Sequence, residues 1–137
     1  MIRRSMPLAA AVTLSACAAS SPASHTPADV ATMETLDELM AVHKASTSGL
    51  WSKTDFSQED WAKAKQSAPV LKAAATRVAQ RFGGQGEFDD GFVDYANIVA
   101  DQAEALGAAA EAEDAAAASA AMTEMKSACD GCHGVYN

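Results

Sequence analysis

Two cysteines and a histidine stand close together near the C-terminus of the chain. Residues 129–133 read Cys-Asp-Gly-Cys-His. Two thiols at this spacing can add to the two vinyl groups of a porphyrin, and the adjacent imidazole can bind its iron. On a helix the three side chains lie on one face. The motif predicts one covalently bound haem c per chain, with thioethers at Cys129 and Cys132 and with His133 as an axial iron ligand.

Two other uses of the same residues have to be weighed. A thioredoxin-like redox pair belongs to a βαβ context, and the sequence around residues 129–133 has no such pattern. A structural zinc site needs four ligands, and the other histidines and cysteines are only His25, His43 and Cys17. The motif therefore favours haem attachment over a redox pair or a zinc site.

The N-terminus has the features of an export signal. A basic start with Arg3 and Arg4 precedes an apolar stretch over residues 6–14, which is too short to span a bilayer. Residues 14–17 read Leu-Ser-Ala-Cys and resemble the lipobox of bacterial lipoproteins. That resemblance implies cleavage before Cys17 and acylation of its thiol. An ordinary signal peptide cleaved nearby is the alternative.

The lipobox reading implies a location and three regions. The protein would be anchored by lipid to a bacterial membrane and face the periplasm, and Ala18 after the cysteine resembles the outer-membrane pattern. Residues 1–16 would be a lipoprotein-type signal peptide. Residues 17–30, rich in Ser, Pro and Ala, would be a flexible tether. Residues 31–137 are long enough for one domain with one core.

The chain is strongly acidic. Its formal net charge is −8, and removal of residues 1–16 takes away two of ten basic side chains and none of the 18 acidic ones. Such a surface argues against nucleic acid as a partner. It favours steering towards redox partners with basic surfaces.

The rest of the sequence shows hydrophobic residues at helical spacing in four segments. They run from about Val30 to Leu50, from about Ser57 to Phe82, from Phe88 to about Ala110, and from about Asp114 onward. Four amphipathic helices with short connections predict an all-α, antiparallel four-helix bundle. Alanine-rich stretches such as residues 115–118 would leave room in its core, which we expect the haem to fill.

A four-helix chain with Cys-x-x-Cys-His on its last helix resembles the class II c-type cytochromes, the cytochrome c′ superfamily. The resemblance covers residues 31–137 and is strongest over residues 129–136, where Tyr136 follows His133 by three positions. Residues 38–40 read Glu-Leu-Met and precede Trp51, as in a lipoprotein-type, low-spin branch of the family. One departure is Asn137, because the family usually carries Arg or Lys there.

The resemblance implies a distal iron neighbour on the first helix. Low-spin members use a Met thioether, which favours Met40 as the sixth ligand, although Met40 could instead fill the core. His43, one turn further along the same face, is the alternative ligand. High-spin members leave the sixth position open. Met ligation implies an electron-transfer protein, and an open iron implies a protein that binds or scavenges NO or CO. We do not expect an enzyme, since only His43 could serve as a distal acid or base. Relatives often form homodimers through the first two helices.

Overall fold

The computed structural model describes residues 25–84 and 88–136. Cys17, the expected signal peptide and Asn137 lie outside the described residues. Within them the protein is all-helical and compatible with a helical bundle. The five helices are α1 (Pro27–Ala31), α2 (Leu36–Thr47), α3 (Gln58–Phe82), α4 (Asp90–Ala112) and α5 (Ala115–Tyr136).

The first predicted helix is two helices, which corrects the single segment expected over residues 30–50. The break lies between Thr32, which ends α1, and Thr35, whose capping box starts α2. The Thr26 hydroxyl accepts from the backbone N–H of Asp29 at the start of α1, and Thr35 accepts from Glu38 at the start of α2. Each Thr begins a helix, so the chain between them turns. The tether expected over residues 17–30 is therefore helical at its end, where Val30 is buried in the core.

The later helices begin and end close to the predicted positions. Ser57 and Asp60 form the capping box that starts α3, and the helix ends before Gly83. The side chain of Asp89 accepts from the N–H groups of Gly91 and Phe92 and starts α4. The α4–α5 turn is short because Glu113 adopts a left-handed conformation, with φ of 52°.

Most of the hydrophobic side chains between α3, α4 and α5 form one tightly packed group, which we call the packed core. Its largest members are Leu50, Trp61, Leu71, Leu106, Met122 and Met125, and buried alanines fill the space between them. Ala118 is one of these alanines and is fully buried. None of alanines 115–118 lines the cavity described below. Ala118 and Ala115 pack in or against the packed core, whereas Ala116 and Ala117 are exposed.

A second group of buried side chains lies where α1 and α2 pack on α3. It contains Val30, Leu39, Val42, Val70, Val78 and Phe92. α2 packs against α3 and α5 packs against α4, whereas α2 and α5 have little direct contact with each other. The side chains of Met40 and His43 and of the Cys-x-x-Cys-His motif line the space between these two helices.

Candidate functional site

A cavity of about 230 Å³ lies between α2 and α5. Val78 of α3 and four side chains of α4 form its floor. All of its lining residues are Leu36, Asp37, Met40, His43, Val78, Phe92, Tyr95, Ala96, Val99, Ala128, Cys129, Cys132, His133 and Tyr136. Every residue that the sequence singled out for iron or haem binding is in this set. The cavity therefore brings together side chains that are about ninety positions apart in the chain.

α5 presents the Cys-x-x-Cys-His motif to the cavity. The motif is helical throughout, so Cys129, Cys132 and His133 lie on one face, as their spacing predicts. Both cysteines are free thiols and half-buried, and His133 is exposed at the rim. Two thiols and an imidazole thus line one wall of the cavity without being bonded to each other.

The cysteines do not have the environment of a reactive redox pair. They lie near the C-terminal end of α5, whereas the positive end of a helix dipole, which activates thiols, is at the N-terminus. Burial, with the neighbouring Cys132 and Asp130 adding to it, raises the pKa of Cys129. Burial also raises the pKa of Cys132. Both cysteines are therefore protonated near neutral pH, and a protonated thiol is a slow nucleophile.

α2 forms the opposite wall and contributes Met40 and His43. The two residues are three positions apart, so they lie on the same face of α2 one turn from each other. Met40 is half-buried. The Nε2 atom of His43 is buried and has no hydrogen-bond partner. Burial, with a smaller contribution from the charge of His133, lowers the pKa of His43 to about 4. The imidazole is therefore neutral near pH 7.

Tyr95 and Gly131 show a close contact that the sequence did not predict. A Cβ atom built on Gly131 would lie 2.7 Å from Cε1 of Tyr95, which is closer than atoms can approach. Only glycine at this position of the motif lets the Tyr95 ring lie against α5. Glycine is unfavourable inside a helix, and that was the one signal in the sequence that position 131 has a packing role.

An aromatic cluster closes the end of the cavity where α5 finishes. Phe88 packs on Phe92 with ring centroids 4.4 Å apart, and Tyr136 meets Phe92 edge to face at 5.4 Å. The Tyr136 hydroxyl donates a hydrogen bond to Asp89, the residue that caps α4. This bond raises the pKa of Tyr136 to about 12. Tyr136 therefore attaches the end of α5 to the start of α4.

In residues 25–84 and 88–136, no group of three or more His, Cys, Asp or Glu side chains converges as a metal site. In the same part of the chain, no helix is long and apolar enough to cross a membrane.

Comparisons of the chain with models of protein families, with curated proteins and with solved structures found no match.

Proposed function

We propose that this protein is a monohaem c-type cytochrome that transfers electrons, with its haem in the cavity between α2 and α5. In this proposal α2 to α5 form the antiparallel four-helix bundle of the cytochrome c′ type, and the haem lies inside it. One observation carries the proposal: the thiols and imidazole of α5 line the same cavity as Met40 and His43 of α2.

The residues present fit a c-type haem in three respects. Cys129 and Cys132 are free thiols on one helical face. The cavity lining is mainly apolar, as the porphyrin faces require. The buried Nε2 atom of His43 has no hydrogen-bond partner, and in the tautomer protonated on Nδ1 its lone pair would be available to a metal ion. A haem iron takes four ligands from its ring, so a cluster of three protein ligands is not needed.

The roles of the α5 side chains follow from their chemistry. Cys129 and Cys132 would hold the haem through thioethers, each formed by addition of S–H across a vinyl double bond, with sulfur bonded to one carbon and hydrogen to the other and no oxidant or reductant consumed. His133, the residue after Cys132, would be the α5 side chain that binds the iron. The haem supplies the one-electron couple of its iron.

Met40 and His43 favour electron transfer over gas binding. Either side chain can bind the iron on its second face, and both belong to the wall opposite α5. An iron bound by protein on both faces keeps its coordination in both oxidation states, so little reorganisation accompanies electron transfer. The buried side chains of Val78, Phe92 and Val99 give the site apolar walls. Binding of NO or CO would instead need an open sixth position.

The surface and the N-terminus complete the proposal. With a net charge of −8, the protein would associate with redox partners through their basic surfaces.

The lipobox-like residues 14–17 support export, acylation at Cys17 and anchoring to a bacterial membrane on its periplasmic side. Labelled palmitate should enter the exported wild-type protein and should not enter Cys17→Ser. Label retained in that variant would contradict this anchor.

Covalent attachment is the decisive test of the proposed function. The full chain is expressed with a c-type cytochrome maturation system and separated on a denaturing gel. Wild type should stain for haem-linked peroxidase activity and be reversibly reduced and oxidised by one electron. Cys129→Ala with Cys132→Ala should lose essentially all of the stain, whereas Cys17→Ser should keep it. A wild-type protein that carries no covalent haem under these conditions would refute the proposal.

A further inference from the structure

The Nε2 atom of His43 is an exception among the described residues. It is the one buried side-chain nitrogen or oxygen in residues 25–84 and 88–136 that has no hydrogen-bond partner. Burying such a group without a partner costs about 1–3 kcal/mol, and folded proteins avoid it unless another interaction compensates. A neutral imidazole nitrogen can act as a hydrogen-bond acceptor or as a metal ligand. We therefore expect the Nε2 atom of His43 to have a partner inside the cavity.

The position of Met40 needs no such partner. A thioether is apolar and flexible, and methionine commonly fills irregular gaps in helical cores. Met40 is half-buried and packs against the second group of buried side chains, so packing alone accounts for its position. The two candidates on α2 therefore differ: the structure accounts for Met40 without iron, and it does not account for His43.

We propose that Nε2 of His43, and not the sulfur of Met40, binds the iron on the face opposite His133. This inference rests on the proposed function and names the second axial ligand of the same site. α2 and α5 form opposite walls of the cavity and have little direct contact, so a planar group between them can meet one imidazole from each helix. The cytochrome would be a bis-histidine one, which departs from the Met ligation that the resemblance favours.

Bis-histidine ligation has consequences that can be measured in the wild-type holoprotein. Both oxidation states should be low-spin, and the ferric protein should lack the sulfur-to-iron charge-transfer band in the far red. The ferrous protein should not take up CO. The reduction potential should lie below that of a His–Met cytochrome, because Met ligation raises the potential.

Two matched variants on α2 separate the ligand from its neighbour. Met40→Leu keeps an apolar side chain of similar size and should leave the spin state and the CO response unchanged. His43→Ala should turn the iron high-spin and open the ferrous form to CO. Addition of imidazole to His43→Ala should restore the low-spin spectrum, which a merely misfolded variant would not do. If His43→Ala does not accumulate, the wild-type spectra and Met40→Leu still decide the question.

Each other outcome overturns this inference. A charge-transfer band in wild type that disappears in Met40→Leu would establish methionine as the ligand. A high-spin wild type that binds CO would establish an open iron and the gas-binding class. Both results would leave covalent haem attachment intact. A wild-type protein without covalent haem would instead refute the proposed function itself.

Discussion

The packed core and the cavity differ in how closely their helices approach. Between α3 and α4 the side chains are small, and a Cβ atom on Gly107 would lie only 3.3 Å from the Cβ of Ala68. Around the cavity, α2 and α5 stay apart, and the walls carry aromatic and titratable side chains. Gly107 and buried alanines thus let α3 and α4 approach closely, whereas the space between α2 and α5 stays open.

This difference has an energetic meaning. Side chains that face a cavity lose the dispersion contacts that they would make in a packed interior, and the loss grows with cavity volume. A chain that can pack helices as tightly as it does around Ala103 and Ala110, both fully buried, could have closed the second space in the same way. This contrast supports the proposal that the cavity binds a ligand.

The largest loss of stability is expected when a methionine of the packed core is substituted, and a methionine at the cavity wall provides the comparison. Met125 is fully buried in the packed core, and Met40 is half-buried at the cavity wall. Met125→Ala should lower the free energy of unfolding by about 2–5 kcal/mol, since it leaves an unfilled space. Met40→Ala should cost clearly less. Urea denaturation of the two purified full-length variants measures both, and equal losses would show that the two regions are packed alike.

The second test uses two glycines of the same helix. A Cβ at Gly131 would collide with Tyr95, whereas a Cβ at Gly134 would have no atom within 4 Å. Gly131→Ala should destabilise the protein by about 1–3 kcal/mol through overpacking and should move the Tyr95 ring. Gly134→Ala should be neutral or stabilising by up to about 1 kcal/mol, because alanine favours the helix.

Thermal unfolding and near-ultraviolet circular dichroism distinguish the two alanine variants. The tyrosine signal should change in Gly131→Ala and remain as in wild type in Gly134→Ala. If Gly131→Ala proves as stable as Gly134→Ala, the contact between α5 and the Tyr95 ring has no structural importance. The glycine within the motif would then have to be explained in another way.

The sequence predicted local features better than long-range ones. The face shared by Cys129, Cys132 and His133 follows from spacing, and the start of α3 follows from the capping box at Ser57. The same kind of box at Thr35 was overlooked, because hydrophobic residues at helical spacing continue from Val30 past it and imitate one helix. The box at Thr26 lies in the segment that was predicted to be a flexible tether. At Thr35 a local signal was present and was outweighed by the periodicity.

The features that depend on packing could not be read from the sequence. That His43 lacks a hydrogen-bond partner depends on which side chains α3 and α4 bring around it. The contact of Tyr95 with Gly131 joins residues 36 positions apart on different helices. Sequence periodicity assigns a residue to a buried face, but it does not say which partner it meets there. These two contacts are what the structure adds to the candidate site.

The smallest effect concerns the hydrogen bond that holds the end of α5 to the start of α4. Tyr136 donates to Asp89, which lowers the pKa of Asp89 and raises the pKa of Tyr136 from 10.0 to about 12. Folding therefore favours the protonated phenol and the ionised carboxylate. The stabilisation should be complete between the two ordinary pKa values, be lost as the pH rises from 10 to about 12, and be lost as Asp89 is protonated in acid.

Tyr136→Phe removes the hydroxyl and keeps the ring on Phe92, so it isolates this hydrogen bond. The melting temperature of wild type should exceed that of Tyr136→Phe near neutral pH, and the difference should shrink towards zero at both ends of the pH range. Tyr95→Phe is the control, because it removes a tyrosine hydroxyl from the same cavity without touching the bond between Tyr136 and Asp89, and its difference from wild type should not follow this profile. A Tyr136→Phe difference that stays constant from acid to alkaline pH would mean that the ring alone, and not the bond to Asp89, fixes the end of α5.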